Sequence, residues 1–479
     1  VSGSNASTSA GFVAAVDLGA TSGRVMLGRI GPNALELRQV ARFPNGPIQH
    51  DDGLHWDVTG LYANITAGLT AALRDEPGIR SIGVDSWAVD YGLLREGQLL
   101  GEPFHYRDER NLAGVEAVHG IVPFEELYRI NGLQFLPFNT LYQLTVDRVG
   151  GRLTGGETPL LIPDLINYWL TGGLHTERTN ASTTGLLNVT TGEWDAALPA
   201  RLGLPEPLFP ALVDAGTTIG GLTRTVAETL GADSGVTVTT VGSHDTASAV
   251  VGVPARTDDF AYISCGTWGL VGVELERPVL SDASRLANFT NEGGVDGRTR
   301  YLHNVMGLWL LSESVRTWEA AGTTIELPAL LAEAGRITTA VPVFDANDPR
   351  FLTPGDLPQR IADWCGEHGV AAPQTPAEFV RSILESLADA FARAVDTAAE
   401  LSGKTVSVIH MVGGGSQNAL LCQLTANRSG REVVAGPVEA TAIGNVLIQG
   451  RAQRLLSGSL ESLRDLVARS FEQAHYLPR

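Results

Sequence analysis

Cysteine is scarce in this chain: among 479 residues there are three, Cys265, Cys365 and Cys422, with no metal-ligand spacing and no disulfide framework. A stapled secreted scaffold is excluded, thiol chemistry is disfavoured, and a reducing cytoplasm fits. Long apolar runs are missing as well. Gly, Asp or Thr interrupts each hydrophobic stretch well short of the roughly 20 residues a bilayer-spanning helix needs, so no membrane association is expected. Basic runs are also lacking, and 34 Lys and Arg against 53 Asp and Glu leave a net charge of −19. Such a surface repels nucleic acid, and any polyphosphate has to be held locally by a metal ion, backbone amides and a few cations. Neither a GxxxxGK[ST] loop nor a GxGxxG fingerprint occurs, which removes support from P-loop and Rossmann nucleotide binding. Residues 1–10 have neither the basic start nor the apolar core of a secretory signal and read as a flexible leader.

What is present is enough apolar sequence, 43% of the residues, for two large cores, because single cores stop growing well below this length. The boundary is expected near Val253, where an apolar stretch gives way to GVPARTDD, dividing the chain into domains 11–252 and 253–479. The runs FVAAVDLG, RVMLGRI and LELRQV predict a three-strand meander. Asp57 is placed to cap a helix whose apolar residues Val58, Leu61, Ile65, Leu69 and Leu73 recur near a helical period, and IRSIGVDS follows as a strand. Strand, strand, strand, helix, strand is how a ribonuclease-H-like unit opens, although several mixed α/β folds begin the same way. The second half repeats the theme with AYISCGTW and GLVGVEL. A long helix follows, marked by Phe379, Ile383, Leu387, Phe391 and Val395 and stopped at Gly403, and then the strand VSVIHMV.

Several turns carry polar groups suited to chemistry. In DLGATSGR, Asp17 is able to hold a metal ion through water, while Thr21, Ser22 and Arg24 offer hydroxyls and a cation to phosphate oxygens; an ordinary β-turn is the plainer account. GGGSQN brings bare backbone at Gly414 and Gly415 after a strand, with Ser416 placed to start the next helix, and a flexible loop would look alike. GSHDTASA sets His244 and Asp245 after a β-prone run. Asp245 there is able to orient a hydroxyl and accept its proton late, or the pair is simply a helix start. Gly266 and Thr267 in ISCGTW repeat the logic of the first turn. Asp85 and Trp87 in DSWAVD, and Arg107 and Asp108 in YRDER, suit a polyol, against the alternative of core packing for Trp87.

Taken in order, DLGATSGRV, DSWAVD, YRDER, FNTLYQL, GSHDTASAV, YISCGTWGL, NFTNEGG, NVMGLWLL and GGGSQN resemble the FGGY carbohydrate kinases, and within them the members acting on L-rhamnulose. The resemblance spans residues 17 to 418. It implies two ribonuclease-H-like, actin-like ATPase domains with an active-site cleft between them. It also implies transfer of the γ-phosphate of ATP, with Mg2+, to the 1-hydroxyl of the ketose. Under it Asp245 becomes the general base, and His244, Asp85, Trp87, Ala88, Arg107 and Asp108 contact the sugar. Thr21, Ser22, Arg24, Thr267, Asn304, Ser312, Gly414 and Gly415 contact the nucleotide, and Asp17 lies at the metal. Sugar and nucleotide are the expected partners, in a monomer or homodimer. Three positions depart from the family pattern: Ala88 stands in place of Gly, Cys265 in place of Ser and Ser312 in place of Gln. Kinases for fuculose or xylulose remain alternatives, as does an ATP-driven binding or chaperone protein on the same fold.

Overall fold

A computed structural model describes residues 10–479; the expected leader, apart from Ala10, lies outside them. The chain forms two compact units that are interleaved in sequence. The first runs to Arg256 and adds Glu274–Tyr301 and Ala440–Phe471; the second is Thr257–Val273, Leu302–Glu439 and Glu472–Arg479. By packing, the first unit also takes in segments that follow Val253. The reason is apolar: Val295, Ile443, Val446, Leu447, Leu463 and Val467 bury against Val13, Ala15, Met26 and Ile30, so these segments complete the core of the first unit.

The first unit is built on a six-stranded sheet in the order Thr218–Gly221, Thr237–Thr239, Ile79–Ser86, Gly11–Leu18, Ser22–Gly31, Ala34–Pro44. The last three strands are the expected antiparallel meander, and Gly11–Leu18 pairs in parallel with Ile79–Ser86. Alternation along Gly11–Leu18 serves both faces of the sheet. Ala14, Val16 and Leu18 pack with the helix Val58–Asp75, whereas Val13 and Ala15 meet the helices Ala440–Ala452 and Leu460–Ser470. The first of these helices begins as expected, with the Asp57 carboxylate accepting from the Gly60 amide at 2.7 Å.

The helix Ala440–Ala452 packs tightly against the short helix Asp245–Val251. At Gly444 an added Cβ would stand 1.8 Å from the Ser248 carbonyl oxygen, so only glycine admits this approach. Gly444→Val is therefore expected to cost about 1–3 kcal/mol or more through forced separation of the two helices. Chemical denaturation measures it, with Gly366→Ala, where nothing lies within 4 Å of the new methyl, as the neutral control.

The sheet within the second unit repeats the plan of the first. Its strands run in the order Thr299–Met306, Trp268–Leu275, Phe260–Cys265, Val408–Val412, Glu432–Ala435, Ala474–Tyr476. Phe260–Cys265 is antiparallel to Trp268–Leu275 and parallel to Val408–Val412. Each unit thus carries the ribonuclease-H-like order, a meander followed by parallel strands. The long helix Pro376–Ser402 opens with a capping box between Thr375 and Glu378 and stops at left-handed Gly403. Among the described residues, no helix is long and apolar enough to cross a membrane.

Candidate active site

In the first unit, parallel pairing sets Asp17 opposite Asp85 and Leu18 opposite Ser86. The Ser86 amide donates to the Ser243 carbonyl at 2.9 Å, which draws the segment leading into Asp245 alongside the same strand ends. Three carboxylates therefore gather where these strands finish, close enough for the charge on Asp245 to oppose ionisation of both Asp17 and Asp85. Asp17 and Asp85 are buried. Burial raises the Asp17 carboxyl above the ordinary range against the pull of Arg24, whose Nε stands 4.0 Å from Oδ2. Burial, with the charge of Asp17 adding to it, raises Asp85 further.

The Asn445 amide donates to Asp85 Oδ2 at 2.5 Å, and Gln449 in turn donates to Asn445 Oδ1 at 2.6 Å and to the Ala14 carbonyl at 3.0 Å. Asp85 Oδ1 is buried without a hydrogen-bond partner. A buried orphan carboxylate oxygen beside a second carboxylate suits a hard divalent cation, which takes oxygen donors. Asp85, expected at the sugar, thus sits with Asp17.

Asp245 is the first residue of the helix Asp245–Val251, and its side chain is 30% exposed, the most open of the three carboxylates. Burial raises its carboxyl pKa, opposed by His244, Thr246 and Arg300. His244 Nδ1 lies 3.0 Å from Arg300 Nη2 and its Nε2 lies 3.4 Å from Asp245 Oδ1. Glu292 Oε2 also stands 3.2 Å from His244 Nδ1, so that ring nitrogen lies between the Arg300 guanidinium and the Glu292 carboxylate. Glu292 Oε2 stands 3.1 Å from Arg300 Nη2, and Arg300 is fully buried. Although burial pushes the Glu292 carboxyl up, Arg300 and His244 hold it below its ordinary value.

Trp87 and Trp56 both donate their indole N–H to Asp90 Oδ2, at 3.0 and 2.6 Å, while Gln143 donates to Asp90 Oδ1 at 2.9 Å. Burial lifts the Asp90 carboxyl to about 6 against these bonds. Trp87 is a buried residue with a fixed ring, tilted against Trp56 with the ring centroids 4.1 Å apart, and Ala88 beside it is half-buried. The following residue, Val89, has φ 69°, a strained setting for a β-branched side chain. Arg107 places its guanidinium 5.2 Å over the Tyr106 ring. The Asp108 carboxylate is engaged locally, accepting from the Leu54 amide at 2.7 Å and the Arg110 amide at 2.9 Å, and so serves as a backbone anchor. The turn with Thr21, Ser22 and Arg24 leaves Thr21 exposed and is braced by Asn45, whose amide donates to the Gly19 carbonyl at 2.8 Å.

In the second unit Gly266 and Thr267 form the turn between two strands, and their carbonyls accept from the Leu308 and Trp309 amides at 2.9 and 3.1 Å. This ties the turn to the start of the helix Trp309–Ala320, on which Ser312 is exposed; Asn304 is half-buried on the strand Thr299–Met306. The glycines of GGGSQN have different duties. A Cβ on Gly413 would meet the Cys265 carbonyl at 3.0 Å and one on Gly415 the Cys265 sulfur at 2.3 Å, while Gly414 faces open space. Gly415, expected at the nucleotide, is buried against Cys265, and Gly414 is the accessible position. Asn418, rather than Ser416, caps the helix Ala419–Ser429 by accepting from the Leu421 amide at 3.0 Å. Burial pushes the Cys265 and Cys422 thiols up to about 12, which leaves them inert.

Sequence reasoning missed Glu292, Arg300, Asn445, Gln449 and Asp90. Asn445 and Gln449 had a readable signal, two amides four residues apart in an otherwise apolar helix near the end of the chain. Glu292 also lines a groove of about 910 Å³ within the first unit, together with Arg178, Asp214 and Arg298. None of the expected site residues lines it.

Residues 12–252 match the N-terminal domain of the FGGY family of carbohydrate kinases, and residues 261–453 match its C-terminal domain. A rhamnulokinase from Bacteroides thetaiotaomicron is 39% identical over 468 residues, covering 97% of this chain and 95% of its own. One from Pectobacterium atrosepticum is 42% identical over 476 residues, covering 98% and 93%. Among solved structures, ligand-bound xylulose kinase from Lactobacillus acidophilus shares the fold, with a TM-score of 0.78 at 18% identity over 98% of this chain and 94% of its own.

Proposed function

The chain belongs to the FGGY family of carbohydrate kinases, and we propose that it transfers the γ-phosphate of ATP to the 1-hydroxyl of L-rhamnulose. The observation that carries the chemistry is one half-open carboxylate, Asp245, standing with two buried ones, Asp17 and Asp85. The choice of ketose rests on likeness to the rhamnulokinases along nearly the whole chain.

Asp245 orients the attacking hydroxyl and receives its proton on the carboxylate late in the transfer, as suits a weak base. His244, whose Nε2 lies 3.4 Å from Asp245 Oδ1, stands beside that carboxylate and contacts the sugar next to it. Trp87, fixed by Asp90, and Ala88 shape the sugar side, with Arg107 supplying a cation. Thr21, Ser22 and Arg24 are the candidate nucleotide contacts of the first unit, and Thr267, Asn304, Ser312 and Gly414 those of the second, each unit taken by itself. Asp17 and Asp85 fit Mg2+, which supplies neutralisation of phosphate charge during transfer. Inert thiols and the need for ATP favour a cytoplasmic setting.

The test is a comparison of kcat/KM across L-rhamnulose, L-fuculose and xylulose. A preference for L-rhamnulose supports the reading, and a clear preference for another ketose removes it.

Burial favours the protonated forms of Asp17 and Asp85, so a cation that binds there displaces protons. Mg2+ is therefore expected to raise the Tm of the nucleotide-free protein, and more at pH 8 than at pH 6. Asp17→Asn and Asp85→Asn are expected to abolish that shift in a thermal melt.

A further inference from the structure

The hairpin Pro47–His50 and Gly53–Trp56 carries two histidines and an aspartate in a short span, and these three side chains have no part in the machinery above. Its register pairs His50 with Gly53 and Ile48 with His55, so two-residue alternation puts His50 and His55 diagonally on the same face, with Asp52 in the turn. The two imidazole rings are 4.7 Å apart, and one ligand atom from each of His50, Asp52 and His55 lies within 4.8 Å of the other two. We propose that these three side chains form a binding site for a divalent cation of the Zn2+ class.

His55 faces an oxygen acceptor at each ring nitrogen. Its Nδ1 is 2.8 Å from the Glu102 carbonyl oxygen, which only accepts, so Nδ1 carries a proton. Its Nε2 is 2.9 Å from Asp52 Oδ1, and an ionised carboxylate also only accepts. A neutral imidazole cannot satisfy both contacts. A cation at Nε2 completes the second one, and a backbone carbonyl holding the far ring nitrogen is how metal-binding histidines are oriented. The ring is buried and rests 4.1 Å from the Phe104 ring, which fixes its direction.

Two imidazole nitrogens and one carboxylate oxygen, with a fourth position left for water, suit Zn2+ and not Mg2+, which prefers oxygen donors alone. This separates the site from Asp17 and Asp85. The hairpin is also the support of the aromatic cluster near Trp87. The Trp56 amide donates to the Pro103 carbonyl at 2.9 Å, the His105 amide donates to the Leu54 carbonyl at 2.9 Å, and Gly53 packs so closely that an added Cβ would lie 2.5 Å from Asp108 Oδ2. A cation bridging the turn fastens the strand that presents Trp56 to Trp87.

The test uses the full chain, free of any purification tag, stripped with chelator and titrated with Zn2+ alone against a chromophoric competitor. One equivalent is expected to bind, with affinity falling roughly 10–100-fold in His50→Ala and in Asp52→Asn. Both residues are exposed, so folding is retained, and circular dichroism verifies it. Bound Co2+ is expected to show the visible bands of a nitrogen and oxygen site, lost in both variants. Absence of stoichiometric Zn2+ binding, or equal affinity in the variants and the parent, overturns the proposal.

Discussion

Asp245→Asn is expected to lower kcat roughly 10²–10⁴-fold while leaving KM for ketose and ATP within about threefold of the parent, because general acid–base help is worth that much and acts on the transition state alone. The amide preserves the volume at the head of the helix and still accepts from the Thr246 hydroxyl, now 3.1 Å from Asp245 Oδ1, so neither folding nor substrate binding should suffer. What it loses is the ability to take a proton. Steady-state kinetics checks the split between kcat and KM, and retention of turnover would remove Asp245 from its role. A pH profile sharpens the test. Burial raises the Asp245 carboxyl above 3.8, against His244 and Thr246, and only the ionised form accepts a proton. The acid limb of kcat/KM should therefore lie above the ordinary carboxylate value in the parent, and the residual rate of Asp245→Asn should lack that limb.

The sequence made the strand and helix framework readable wherever local chemistry and tertiary demand agree. Val58, Leu61, Ile65, Leu69 and Leu73 are buried on a helix capped by Asp57 as their spacing requires, and Gly403 ends the long helix in the left-handed conformation. Asp17, Asp85 and Asp245 stood out because polar residues at strand ends and loops break the apolar pattern. What could not be read was pairing across long separations. Asn445 meets Asp85 across 360 residues, and Arg300 meets His244 across 56, and nothing local names the partner in either contact. For the same reason the return of Ala440–Phe471 to the first unit was invisible: an apolar helix reads identically whichever core it joins. Asp108 and Gly415 show the converse. Their residue types fit the expected sugar and nucleotide contacts, but their atoms are engaged by the Leu54 and Arg110 amides and by Cys265.

Arg300→Met should strongly destabilise the first unit. The guanidinium is fully buried, its Nε donates to the Gly293 carbonyl at 2.9 Å, and its Nη2 serves both His244 and Glu292. Removing it leaves the Glu292 carboxylate buried without its cation, and breaking such a pair costs about 3–5 kcal/mol. Glu292→Gln leaves the opposite charge uncompensated and should also destabilise. The double variant Glu292→Met with Arg300→Met carries neither orphan charge, so it should be more stable than Arg300→Met alone; denaturant unfolding of the two proteins decides this, and a double variant no more stable than Arg300→Met would show that the two charges are not coupled. The pH dependence has a definite sign. The Glu292 carboxyl is held below its ordinary value when folded, so its contribution is present above the unfolded pKa and is lost as pH falls through the folded one. Glu292→Gln should therefore flatten the acid side of the stability profile. Activity reports on the same network from the other end. Arg300 helps keep Asp245 ionised, so in Arg300→Met the acid limb of kcat/KM should move to higher pH, a displacement that loss of folded protein alone would not produce.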